Sequence, residues 1–180
     1  MEVKTIRVWD VFVRVFHWSI ALCIGIAWLS SDNADTLHTT VGYISGGLVI
    51  CRLIWGVIGS KYARFSQFVC SPGIVIGYLR AIFSHREARY LGHNPAGGAM
   101  IVALLLAVAA TSISGWMLTT DAYWGVLWVQ KVHRFLADSV SALVFFHVGG
   151  VVMASLHHRE NLILAMLSGR KRQAGPRDVV

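Results

Sequence analysis

Four histidines in apolar surroundings are the residues best suited to chemistry: His17, His38, His133 and His147. His133 and His147 stand fourteen residues apart in one apolar stretch. At roughly 100° per residue that separation comes to about 1400°, about 40° short of four turns, so on a helix both rings share a face about 21 Å apart along the axis. Histidine inside a membrane is costly unless it is paired or functional. Two neutral imidazoles from facing helices make a six-coordinate, low-spin haem iron, which leaves no open site for oxygen chemistry and favours electron transfer. The pattern therefore predicts two haem b groups, each held by one of this pair and one histidine from an earlier helix.

The elements that must position these residues are membrane spans. The chain has 180 residues, 56% of them hydrophobic and 14% charged, and a mean hydropathy of +0.60. That is too apolar for an ordinary soluble domain of this length. A span needs about 20 mainly apolar residues, and four segments qualify: 12–30, 39–58, 96–118 and 135–156. Residues 72–83 are apolar but too short to cross, and basic residues follow, which predicts an interfacial helix. Basic residues precede the first span as in a signal peptide, but its apolar part is long and no small-residue cleavage pattern follows in SSDNADT, so it is expected to be retained. The predicted fold is an all-α, four-helix membrane bundle, with a membrane domain over 1–168 and a disordered cytoplasmic tail over 169–180.

Orientation follows from the basic residues. Lys4, Arg7 and Arg14 flank the first span, Lys61, Arg64, Arg80, Arg86 and Arg89 fill the second loop, and Arg159, Arg170, Lys171, Arg172 and Arg177 follow the last span. The positive-inside rule then puts both termini in the cytoplasm. Asp32, Asp35 and Asp121 fall on the opposite side, with Lys131 and Arg134 nearby. Insertion accounts for the net charge of +7, so a nucleic-acid partner is not needed. Cys23, Cys51 and Cys70 are isolated, without the spacing of a zinc site, a disulfide framework or a covalently attached haem.

In this topology His17 and His147 lie at one inner depth and His38 and His133 at one outer depth, which assigns the ligand pairs. Arg52 follows His38 by fourteen residues, on nearly the same face. There it can pair an inner-haem propionate, the alternative being a side chain that snorkels to the interface. Arg134 and Lys131 can do the same for the outer haem. Arg14 reads as an interfacial anchor. His85 and His93, in the basic loop, read as solvated, and Trp124 and Trp128 as interfacial belt residues.

The motifs VFHW at 15–18, LHTTVG at 37–42 with Arg52 beyond it, KVHRFL around His133, FFHVGG around His147 and HRENL at 158–162 together resemble the bacterial cytochrome b561 group, which includes the b-type cytochrome subunits of nickel-iron hydrogenases. The resemblance covers most of the chain. It implies a multi-pass di-haem protein of the bacterial inner membrane that moves electrons between the quinone pool and a partner, with the same ligand pairs. A short chain without a further redox domain is expected to use a periplasmic c-type cytochrome or another redox protein. Alternatives are a superoxide:quinone oxidoreductase and an anchor subunit of a hydrogenase-like complex, so enzymatic activity stays open. Superoxide-oxidising members carry a histidine seven residues after the last ligand, where this chain has Ala154. Quinone chemistry needs proton-accepting groups, for which His157, His158, Arg159 and Glu160 are candidates, against a reading as solvated anchors.

Overall fold

A computed structural model describes residues 4–31, 36–176 and 178–180. Asp32, Asp35 and Arg177, used above for orientation, lie outside the described residues. Four long helices dominate: α1 (Val11–Leu29), α2 (Thr36–Ile58), α4 (Pro95–Leu118) and α5 (Leu127–His157). A short α3 (Pro72–Phe83) lies between α2 and α4, and α6 (Leu162–Ser168) follows α5. In the most apolar stretches of the long helices only 6% to 28% of residues are buried. Apolar side chains facing outward on that scale need lipid around them, and in lipid a helix satisfies its own backbone.

Local sequence sets the helix ends. The Asp10 carboxylate accepts from Val13 N at 2.8 Å to start α1, Asn94 Oδ1 accepts from Gly97 N at 2.7 Å at the start of α4, and Asn161 Oδ1 accepts from Leu164 N at 2.8 Å to start α6. Pro72 and Pro95 occupy first-turn positions, where a missing N–H costs nothing. Gly169, at φ +80°, ends α6. Helix α5 starts eight residues before the predicted span. Gln130, Lys131 and Arg134 dilute the hydropathy of its first turns, but nothing there breaks a helix, so it runs for 31 residues, about 46 Å. That exceeds the hydrocarbon thickness of about 30 Å, so part of α5 projects beyond it.

The contacts divide into two compact units. The terminal unit comprises Met1–Arg14, Trp55–Val102 and Phe145–Val180, and the second unit comprises Val15–Ile54 and Ala103–Val144. In the terminal unit, strand β1 (Thr5–Arg7) pairs antiparallel with β2 (Arg170–Arg172), matching Thr5 with Arg172 and Ile6 with Lys171. Val8, Trp9 and Leu91 form a small core, against which Ile6, Tyr62, Met166 and Ala174 pack. The expectation of a disordered tail over 169–180 is thus corrected. Those residues supply β2, and Val179 exchanges backbone hydrogen bonds with Arg89 and Leu91, each 2.9 Å. Their polarity misled because the strand is three residues long and its one inward side chain is a lysine.

Asp10 also links the start of α1 to the end of α2 within this unit. Its second oxygen accepts from Trp55 Nε1 at 3.1 Å and from the Ser60 hydroxyl. Replacing Asp10 by alanine removes the cap and leaves partly buried donors without their acceptor, a cost on the order of 2–4 kcal/mol. The thermal midpoint of the solubilised protein should fall, and Asp10→Asn, which keeps an acceptor oxygen, should lose less.

Candidate functional site

Segments of all four long helices meet in the second unit. His38, half-buried on α2, directs Nδ1 at the Ala27 carbonyl of α1, 2.9 Å away. A carbonyl only accepts, so this nitrogen carries the proton. His133, half-buried on α5, sets Nδ1 3.2 Å from the Thr111 carbonyl and 3.0 Å from Ser114 Oγ, both on α4. The Ser114 hydroxyl already donates to Thr111 O at 3.0 Å. It must therefore accept from the imidazole, and Nδ1 is again the protonated atom. In the neutral form of each ring Nε2 is then the unprotonated nitrogen, the tautomer a metal requires.

The ring centres of His38 and His133 are 6.2 Å apart, with their planes at 79°. A metal–imidazole bond of about 2 Å, plus about 1 Å from nitrogen to ring centre, puts two imidazoles on opposite sides of one ion with centres about 6 Å apart. The pair fits a single iron. Surrounding space is set by small residues. A Cβ at Gly115 would lie 3.1 Å from His133 Cε1, so any side chain there would press on the ring and glycine leaves it room. Gly42, one turn after His38, has open space where its side chain would be.

The other site residues are placed as follows. His17, on α1, belongs to the second unit and His147, on α5, to the terminal unit, and each is half-buried. Arg52 is only 3% exposed. A guanidinium enclosed to that degree suits an internal partner better than a side chain that snorkels to an interface. Arg134 and Lys131 are exposed on α5. In the terminal unit, an Arg14 guanidinium nitrogen donates to the Leu167 carbonyl near the end of α6, a structural role for the residue read as an interfacial anchor.

The cluster expected from His157, His158, Arg159 and Glu160 divides differently in the structure. Glu160 bonds Arg89 at 2.7 Å and accepts from Arg172 N at 2.8 Å, with Lys171 Nζ 3.6 Å away. Burial raises the Glu160 pKa, but the Arg89 hydrogen bond, the charge of Lys171 and the Arg172 amide outweigh it and hold the carboxyl below its ordinary range. It is a fixed anion. His157 instead meets Glu87, Nε2 to Oε1 3.3 Å. His93, read as solvated, lies between aromatic rings, 4.5 Å from Trp9 and 4.8 Å from Phe68. Sequence reasoning missed Glu87 and Arg89 as partners because both look like ordinary members of a charged loop.

Four helices long and apolar enough to cross a membrane, with two imidazoles placed close together, define a multi-pass membrane protein suited to a histidine-held cofactor. The family model for prokaryotic cytochrome b561 matches residues 8–169. The chain belongs to that family, and with it come b-type haem and transmembrane electron transfer. Searches of curated proteins and of solved structures gave no match.

Proposed function

We propose that the protein carries electrons across the bacterial inner membrane through two haem b groups, between the quinone pool and a periplasmic c-type cytochrome or comparable redox protein. The observation that supports this most strongly is the His38–His133 pair, whose ring separation and Nδ1 partners suit one iron. His17 and His147 form the second pair on the sequence argument of matched depth. Both termini face the cytoplasm on the distribution of basic residues.

When bound, haem would supply a one-electron iron couple. The chain supplies the rest. His38 and His133 would hold it, while the Ala27 carbonyl and the Thr111–Ser114 acceptors fix ring orientation and raise the basicity of the imidazoles. Arg52 and Arg134 pair propionates, Arg52 from within the protein and Arg134 from its surface.

Haem per chain, measured as pyridine haemochrome with a reduced-minus-oxidised spectrum, tests the reading. Two b-type haems with sharp low-spin bands are expected, and one haem or none overturns it. Arg52→Gln should leave haem content unchanged and shift one midpoint potential downward, because a buried positive charge near an iron favours the reduced state. An unaltered redox titration would separate Arg52 from the haem.

A further inference from the structure

The loop after α3 and the end of α5 bring together a group of residues that ligation does not use. The Glu87 side chain is only 6% exposed, and one of its oxygens lies 3.3 Å from His157 Nε2. Its other oxygen is buried and has no hydrogen-bond partner among the described residues. His157 is 33% exposed, so one imidazole touches both the enclosed carboxyl and the surrounding water. His85 stacks on His157 with ring centres 5.9 Å apart, from a backbone held at φ +53°, and His158 meets it edge-on at 5.0 Å. A buried carboxyl with one oxygen on an imidazole and one open oxygen is built to gain and lose a proton.

We propose that Glu87 and His157 form a proton-exchanging pair that takes up one proton from water when an electron enters the terminal unit. The electron half rests on the reading of His147 as a haem ligand. His147 and His157 are ten residues apart on continuous α5, about 15 Å along its axis, a separation over which charges still couple inside a protein. The balance is one electron and one proton. A solvent acid gives its proton to the water-facing side of the His157 imidazole, and Nε2 passes its own proton to the facing Glu87 oxygen 3.3 Å away, forming the O–H bond there. Oxidation reverses the step.

The charged and titratable groups around the pair come from several elements. Tyr78 of α3 and His158 after α5 feel the Glu87 charge, His85 of the loop after α3 stacks on His157, and Arg89 of that loop and Lys171 of β2 act on His158. The Tyr78 hydroxyl is pushed up to about 12 by its burial and by the Glu87 charge. The His158 pKa is pushed down, by burial first and then by His157. Neither group competes for the proton near neutral pH.

Redox potentiometry of the full-length haem-loaded protein across mildly acidic to mildly alkaline pH tests the proposal. One midpoint potential should fall as pH rises in the wild type. Glu87→Gln and His157→Asn should both flatten that slope with haem content and the other potential retained. A redox-difference infrared spectrum should lose a carboxylic-acid carbonyl band in E87Q. A pH-independent wild type, or a slope that survives E87Q, overturns the pair. If His147→Ala keeps full haem content, the ligand reading fails instead. Protonation of Glu87 is then followed by the same infrared band during a pH titration of the oxidised protein, and its absence rejects the pair separately.

Discussion

His133→Ala is expected to purify with one haem per chain where the proposed function gives the wild type two, and His38→Ala should behave identically. On the proposed ligation each substitution removes one of the two nitrogens of a six-coordinate site, and alanine offers no replacement. The retained haem should keep its spectrum, because the second proposed pair is His17 and His147. Ser114→Ala provides the contrast. It removes one acceptor from His133 Nδ1 but leaves the Thr111 carbonyl at 3.2 Å, so the ring keeps its tautomer. Outer-shell losses typically cost 10–100-fold in metal affinity, so S114A should retain haem at high occupancy and lose it faster to a competing apo-protein. If H133A and H38A both retain two haems, these residues are not ligands.

The second large effect is expected at Arg89. This guanidinium bonds Glu160, Asp178 and the Arg172 carbonyl, and it is buried. Arg89→Ala would leave two carboxylates without their main cation, and breaking a buried pair by removing one partner costs about 3–5 kcal/mol. The loss should appear as early proteolysis around β2 and a lower thermal midpoint, with haem content unchanged at low temperature. A pH dependence follows with a definite sign. Glu160 and Asp178 are held below the ordinary carboxylate range, burial being outweighed by Arg89 and, for Asp178, by the Gly175 amide. Their contribution is complete above that range and is lost as pH falls through their folded values. Acid should therefore loosen the tail first, and R89A should abolish most of that acid sensitivity. A tail equally resistant to protease in R89A would show that the ion network does not hold it.

How much of this was legible in the sequence depends on what kind of signal each part leaves. Membrane helices announce themselves by length and composition, so the four spans and the bounds of α3 could be read directly, and α5 was misjudged only where Gln130, Lys131 and Arg134 interrupt the apolar run. His38 and His133 were legible as candidates because an imidazole there has few other uses. Their Nδ1 partners were not, since Ala27, Thr111 and Ser114 act through backbone or a common hydroxyl. The terminal unit was almost invisible. It depends on three-residue strands, on a seven-residue α6 and on pairing between Arg89 and residues about 70 to 90 positions away, none of which leaves a periodic trace.

The pairing of β1 with β2 bears on how the chain threads the bilayer. Thr5 lies opposite Arg172 in the antiparallel ladder, so both strands must occupy the same aqueous compartment. A polypeptide whose two ends meet on one side has crossed an even number of times. The two-stranded sheet therefore acts as a parity check on insertion: a chain in which one span failed to cross would leave the strands on opposite faces, and the terminal unit could not close.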